Sequence, residues 1–326
     1  MLLLHPTHLS GVACVAACLS AIVAAWGAFC VRGSTAVPAA LWSVAACLAL
    51  AAEMGARAAG GLGDPAAAAA ARLAVVSLSL CPAMSLLGAK RPQHGVWQLI
   101  VGTLAVVLAM PAASALLMRP GSLPAVHLLE QCFMPLLVLV GWMNFAGTRR
   151  AAAVTAVAMA ELLLMRGFLP GASLDGFATA ASAATIDAAA AGLLLGGMLL
   201  AAAQALLNRP GRANGGDAAN DPGGSVAAII DPPFLALRET LGAAWTLRIA
   251  ERFDTEAAAH GWPFRLRFGG LETVRDPLDR HSDPLWHRDA LRAFRALMRR
   301  FVSDAWLARH GWPTAVVDGQ HAEPQA

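Results

Sequence analysis

The chain has 326 residues, 57% of them hydrophobic and 14% charged, with a formal net charge of +3. Soluble domains carry roughly 25% charged residues, so this composition excludes a wholly soluble protein. The small net charge, with no RNP, zinc-finger or basic-region pattern, also excludes a nucleic-acid binder. The charge is uneven: nine Lys/Arg and six Asp/Glu precede residue 208, and fifteen of each follow.

About 20 consecutive apolar residues cross a bilayer as a helix. The first such stretch runs from Leu9 to Val31, with Ala13, Ala17, Ala21 and Ala25 at a spacing that lets helices approach closely. The second, Val37 to Met54, is closed by Glu53 and Arg57, four residues apart on one helical face. After a Gly60-Gly61-Leu62-Gly63 loop, Asp64-Pro65 reads as an N-cap followed by proline at the first helical position. The third stretch runs to Gly88 with Pro82 inside it. A turn, Gly88-Ala89-Lys90-Arg91-Pro92-Gln93-His94, leads to the fourth, Gly95 to Met118, which has no charged side chain in 24 residues and contains Pro111. The fifth, Val126 to Ala146, holds Glu130 and Pro135. The basic turn Gly147-Thr148-Arg149-Arg150 leads to the sixth, Ala151 to Leu169, which carries Glu161 and Arg166. The seventh apolar stretch, Phe177 to Leu207, is interrupted only by Asp187.

The expected fold is an all-α membrane bundle of about seven transmembrane helices followed by a small cytoplasmic α/β tail domain. Arg32, Lys90, Arg91, Arg149, Arg150, Arg209 and Arg212 fall on one side of such a bundle, and Arg57, Arg72, Arg119 and Arg166 on the other. Basic loops stay inside. This places the protein in a bacterial inner membrane with its N-terminus outside and its C-terminus in the cytoplasm. All six cysteines lie in apolar stretches, so no disulfide framework is implied. Val15-Ala16-Ala17-Cys18 has the look of a lipoprotein box but lacks the basic residue a signal peptide needs before it.

The expected domains are a membrane domain over 1–207, a Gly/Asn/Asp/Pro-rich linker over 208–228, a small domain over 229–318 and a disordered tail over 319–326. In the small domain, Leu237, Leu241, Ala244, Trp245, Ile249 and Phe253 recur at helical spacing after Asp231-Pro232-Pro233. Leu291, Phe294, Met298, Phe301 and Ala305 do so after Asp283-Pro284. Each run leads to a His-Gly-Trp-Pro tetrapeptide (260–263 and 310–313) and then to a strand-like run, Phe264 to Phe268 and Thr314 to Val317. Two helix–strand units are the expectation, with glycine ending each helix and proline preventing its continuation.

Cys81 to Pro111, with Leu87-Gly88-Ala89-Lys90-Arg91-Pro92-Gln93, Trp97 and Pro111, resembles a family of uncharacterised bacterial polytopic membrane proteins. Gly141-Trp142-Met143-Asn144-Phe145 before Thr148-Arg149 is similar to that family's fifth-span exit. So is Trp245 to Phe268, with Arg248, Arg252 and Trp262-Pro263. The resemblance implies a topology and supplies no catalytic residues.

Three intramembrane carboxylates, Glu130, Glu161 and Asp187, form a candidate polar site. A bare carboxylate at mid-membrane costs about 2.5–3.5 kcal/mol on insertion scales. They are either a proton or cation relay or the paired, protonated or capping groups of a static bundle, with Arg166 reaching the interface. Arg288, Arg292, Arg295 and Arg299 share one face of the last long helix and could meet an anionic lipid surface or a protein partner; a solvated face is the plainer reading. His5, His8, His94 and His127 are divided between the two sides and form no metal or haem spacing. Asp276, Asp279, His281, Asp283, His287 and Asp289 read as turns and caps rather than a metal site. No P-loop, H-E-x-x-H or G-x-S-x-G motif is present, and neither cofactor nor metal is expected. The composition favours a structural, assembly or interaction protein. The alternatives are a proton-coupled transporter or channel and, with no motif behind it, a lipid-modifying membrane enzyme.

Overall fold

The computed structural model describes residues 6–88, 94–118, 121–171, 180–207, 222–273 and 284–313. It divides into two units. The first comprises Met1–Val31, Ala36–Ala89 and Gln93–Leu207. The second contains Asn208–Ala326 together with the short segment Arg32–Thr35.

The first unit is helical: α1 (Pro6–Cys30), α2 (Val37–Ala58), α3 (Pro65–Ser79), α4 (Cys81–Leu87), α5 (His94–Leu117), α6 (Leu128–Met143), α7 (Ala151–Leu164) and α8 (Ala180–Leu207). Among the described residues five helices are long and apolar enough to cross a membrane: Thr7–Cys30, Val37–Ala58, Pro65–Leu87 (α3 with α4), Gly95–Leu117 and Ala183–Leu207. The expectation of seven is corrected at α6 and α7. Both are apolar, but with 16 and 14 residues they rise only about 24 and 21 Å at 1.5 Å per residue. A typical hydrocarbon core is about 30 Å thick. The last turn of the fifth stretch unwinds after Met143, and the sixth ends at Leu164, before Arg166. The third stretch breaks at Leu80, because Pro82 has no N–H to continue the ladder.

Alanine packs α1 into this unit, with Ala13 and Ala17 fully enclosed and Ala21 nearly so. Ala25, expected on the same face, is exposed, and Ala28 is buried instead. A four-residue step advances about 40° beyond a full turn, so a fourth alanine in that series leaves the face. Leu50, Met54, Leu73, Val76, Leu80, Met134 and Met165 complete the core. At the end of α4, Gly88 leaves room for the Trp97 ring, which any Cβ would overlap, and Trp97 Nε1 donates to the Met84 carbonyl at 2.8 Å.

The second unit contains α9 (Pro222–Leu241), α10 (Ala243–His260), strands β1 (Phe264–Arg267) and β2 (Gly270–Thr273), α11 (Pro284–Met298) and α12 (Asp304–Arg309). Strand β1 falls on the expected run Phe264 to Phe268 and pairs with β2 in an antiparallel hairpin; the other expected strand, Thr314 to Val317, lies outside the described residues. Helix α9 begins at Pro222, inside the stretch assigned to the linker, and holds Asp231-Pro232-Pro233 in its interior rather than at its start. The long helix expected through Phe253 is divided at Gly242, whose φ of 81° suits glycine. The one expected through Ala305 ends at Met298, and α12 starts anew with Ser303 Oγ accepting the Trp306 N–H. Gly261 and Gly311 both follow helix ends with φ of 66° and 90°, as their tetrapeptides suggested.

Trp245, Trp262, Trp306 and Trp312 are buried, so these rings build a core. Phe253 packs on Trp262 and Phe294 on Trp312, each at 5.8 Å between ring centres. Two aspartates hold the hairpin. Asp231 accepts the Leu271 N–H at 2.8 Å, and Asp254 the Leu266 N–H at 2.7 Å. The segment Arg32–Thr35 is stitched into this unit: Thr35 N–H donates to the Phe301 carbonyl at 2.8 Å, and Ser303 N–H to the Gly33 carbonyl at 2.7 Å. Arg309 also donates to the Arg32 carbonyl. The turn between α1 and α2 is therefore a structural part of the tail's own unit.

Candidate functional site

The densest polar feature of the membrane unit is a cluster of five charges. Glu53 and Arg57 stand one turn apart at the end of α2. Asp64 caps α3 through the N–H groups of Ala66 and Ala67, fixing the helix start so that Arg72 comes two turns later. Arg166 lies in a 3-10 turn, Arg166–Phe168, just beyond α7. Asp187 sits two turns inside α8, too deep to be its cap. Chain connectivity brings all five to one end of the unit: α2 and α3 are joined through 59–64, and α7 and α8 are consecutive helices.

Arg72 is the centre. Its Nε lies 2.9 Å from both Glu53 oxygens, while Nη1 and Nη2 donate to Asp187 Oδ1 and Oδ2 at 2.9 and 3.0 Å. One planar guanidinium thus joins two carboxylates by its two edges, the geometry in which arginine binds most specifically. Residue exposures of 4% for Glu53, 5% for Arg72 and 3% for Asp187 put this bridge away from solvent. Arg166 adds a 2.8 Å bond to Asp187 Oδ1 and another to the Leu163 carbonyl at 2.7 Å. Arg57 pairs with Glu53 at 2.8 Å and approaches Asp187 at 3.5 Å. Its Nε is buried without a hydrogen-bond partner. Among the described residues, three guanidiniums against two carboxylates leave one positive charge in excess.

The expected polar site of Glu130, Glu161 and Asp187 is not joined: among the described residues, no hydrogen bond or ion pair links any two of them. Asp187 belongs to the cluster. Glu130 accepts the His127 N–H at 3.2 Å, satisfying a free donor at the start of α6. Glu161 is half-buried in α7 and has no hydrogen bond among the described residues. A cavity of about 680 Å³ beside α2, α3 and α5 is lined by Trp42, Ser77, Gln98, Thr103 and their apolar neighbours, and by none of these carboxylates. Sequence reading missed Arg57 and Arg72 as partners of Asp187, and Glu53 as their second carboxylate, because it treated the arginines as markers of sidedness. Arg166, expected to reach the interface, turns to Asp187. The available signal was five charges, two acidic and three basic, all within two turns of a helix end on one side.

Of the four expected basic residues, Arg288, Arg292 and Arg295 lie on α11 and Arg299 just beyond its end at Met298, not on the helix. Arg292 meets Asp289 at 3.4 Å, and Arg295, half-buried, and Arg299 share Asp304 at 2.9 and 3.7 Å; Arg288 is exposed. Among the described residues no His/Cys/Asp/Glu group could hold a metal. Asp276, Asp279, His281 and Asp283 lie outside them, as does His5.

Comparison with protein-family models, with curated proteins and with solved structures finds no match. The five long apolar helices are those of a membrane protein.

Proposed function

We propose that the chain is an integral protein of the bacterial inner membrane with a non-enzymatic role in assembly or interaction, and a tail domain in the cytoplasm. The fate of the carboxylates carries this reading. A relay needs acidic groups in succession. Here Asp187 is held by guanidiniums and Glu130 caps a helix, which leaves Glu161 alone. The tail offers an interaction surface instead, the α11 arginines, suited to an anionic lipid surface or an acidic protein face. The resemblance of the 81–111 region to uncharacterised polytopic proteins is part of the same proposal.

The orientation, N-terminus outside, also belongs to it. Counting α6 and α7 out removes two crossings, so the two ends of the chain keep their sides. It takes Arg149 and Arg150, in the turn between two helices that do not cross, out of the count. The basic count then rests on Arg57, Arg72 and Arg166 being tied to Glu53 and Asp187 rather than free in loops. A tag after Ala326 should be shielded in intact cells and a tag at His5 accessible.

The second reading, a proton-coupled transporter, is favoured by Glu161, whose carboxylate has no hydrogen bond among the described residues. Proteoliposomes with an internal pH dye decide between the two. Wild-type protein and Glu161→Gln should both match empty vesicles under an imposed pH gradient and membrane potential. Wild-type flux that disappears in a folded Glu161→Gln variant overturns the proposal.

A further inference from the structure

We propose that the Arg57–Arg72–Arg166 cluster is a binding site for a phosphate-bearing anion, most directly the headgroup of an anionic lipid in the leaflet at that end of the unit. Four observations carry this.

Among the described residues the cluster's charge does not close: the carboxylates that meet its three guanidiniums are Glu53 and Asp187. The unspent charge is not at the centre, because Arg72 uses both edges of its fork on the two carboxylates. It lies with Arg57 and Arg166, whose side chains remain 26% and 31% exposed while the carboxylates they touch are enclosed. Among the described residues Arg57 also holds a buried Nε with no partner, so the two carboxylates do not use all of its donors. One further anion at the exposed part of these two guanidiniums would cancel the surplus.

The chemistry of such an acceptor follows from the donors. Guanidiniums bind phosphate oxygens with paired N–H groups. The end of a membrane-spanning helix lies where lipid phosphates lie. Other carboxylates at this end do not fill the role within the described residues. Asp64 is spent on capping α3, and Glu130 on its own helix start. Asp175, between Arg166 and Asp187 in sequence, lies outside the described residues, so the test uses the whole chain, in which Asp175 competes as it does in the native protein.

The measurement is lipid retention by native mass spectrometry, on full-length protein exchanged from micelles into mixtures of phosphatidylglycerol and phosphatidylcholine. The wild type should retain phosphatidylglycerol in at least tenfold preference. Arg57→Gln with Arg166→Gln should lose most of that preference, whereas Arg149→Gln, at the opposite end of α7, should keep it. A photoactivatable phosphatidylglycerol on the wild type supplies a readout that needs no variant: crosslinks should map to 53–72 and 163–187. An arm with inorganic phosphate separates the sources. Displacement of the lipid by millimolar phosphate assigns the site to a soluble phosphate; no displacement assigns it to the lipid. Equal retention of both lipids together with no stabilisation by phosphate overturns the proposal. Crosslinks confined to other regions, or an undiminished preference in the folded double variant, overturn it as well.

Discussion

The protein uses arginine in two opposite ways. In the membrane unit Arg72 is enclosed, with both edges of its guanidinium fixed on Glu53 and Asp187. In the tail unit Arg288, Arg292 and Arg299 are exposed, and the aspartates that meet Arg292 and Arg299 lie 3.4 and 3.7 Å away. The formal charges are alike, but the surroundings decide what they are worth. An exposed pair contributes about 0–1 kcal/mol. Removing one member of a buried pair costs about 3–5 kcal/mol, because the abandoned charge stays buried. The membrane unit depends on its charges in a way that the tail, built on aromatic packing and a stitched backbone segment, does not.

The sharpest way to break this contrast is Arg72→Met. It leaves Glu53 and Asp187 enclosed with only the half-exposed Arg57 and Arg166 nearby, and should lower stability by about 3–5 kcal/mol. Thermal unfolding in micelles would read this as a large fall in midpoint; a change as small as that of Arg292→Gln would erase the contrast.

Next comes the tail's dependence on backbone rather than charge. Gly33 has a φ of 83°, and a Cβ there would sit 2.5 Å from Ser303 Oγ. Gly33→Ala should cost about 1–3 kcal/mol through backbone strain alone and release Arg32–Thr35 from the tail unit. Hydrogen exchange at the Thr35 and Ser303 amides should rise with α3 and α8 unaffected.

A smaller effect is a pH dependence in the tail. His310 stacks on Trp306 and its Nδ1 bonds the Trp306 carbonyl at 2.8 Å. Burial lowers its pKa, opposed by that backbone bond and helped by the neighbouring Arg309. With the folded value below the unfolded one, the histidine's contribution is complete above the usual imidazole range, about 6.5. It is lost as the pH falls through the lowered folded value. Tryptophan fluorescence should show the tail weakening on acidification, and His310→Gln should flatten that slope. The smallest effect is Arg292→Gln, within about 0.5 kcal/mol at an exposed site, checked in the same unfolding assay.

Much of the membrane unit was legible because apolar length is a direct physical requirement. Four helix starts and ends follow from marks such as Asp64-Pro65 and the charge-free run after His94. What could not be read was whether α6 and α7 were long enough, since apolar side chains continue past Met143 and Leu164 while the backbone turns. The ion cluster was hidden for a different reason. Arg72 and Asp187 are 115 residues apart, and single charges near helix ends look the same whether they face loops or each other. In the tail, helical periodicity ran on through Gly242 and through Arg299–Arg300, so two breaks set by backbone geometry were invisible in the apolar pattern. The left-handed glycines of the two His-Gly-Trp-Pro segments were visible, because no other residue takes that conformation as readily.

The central claim is that the Arg72 bridge ties α2, α3 and α8 together as one unit. A double-mutant cycle tests it most directly, with Arg72→Met, Asp187→Asn and the pair together, by equilibrium unfolding of the full-length protein in micelles. The account predicts that each single change is costly and that the double costs little more than Arg72→Met alone, a coupling of about 2–3 kcal/mol. Additive costs, with no coupling between the two positions, would contradict it.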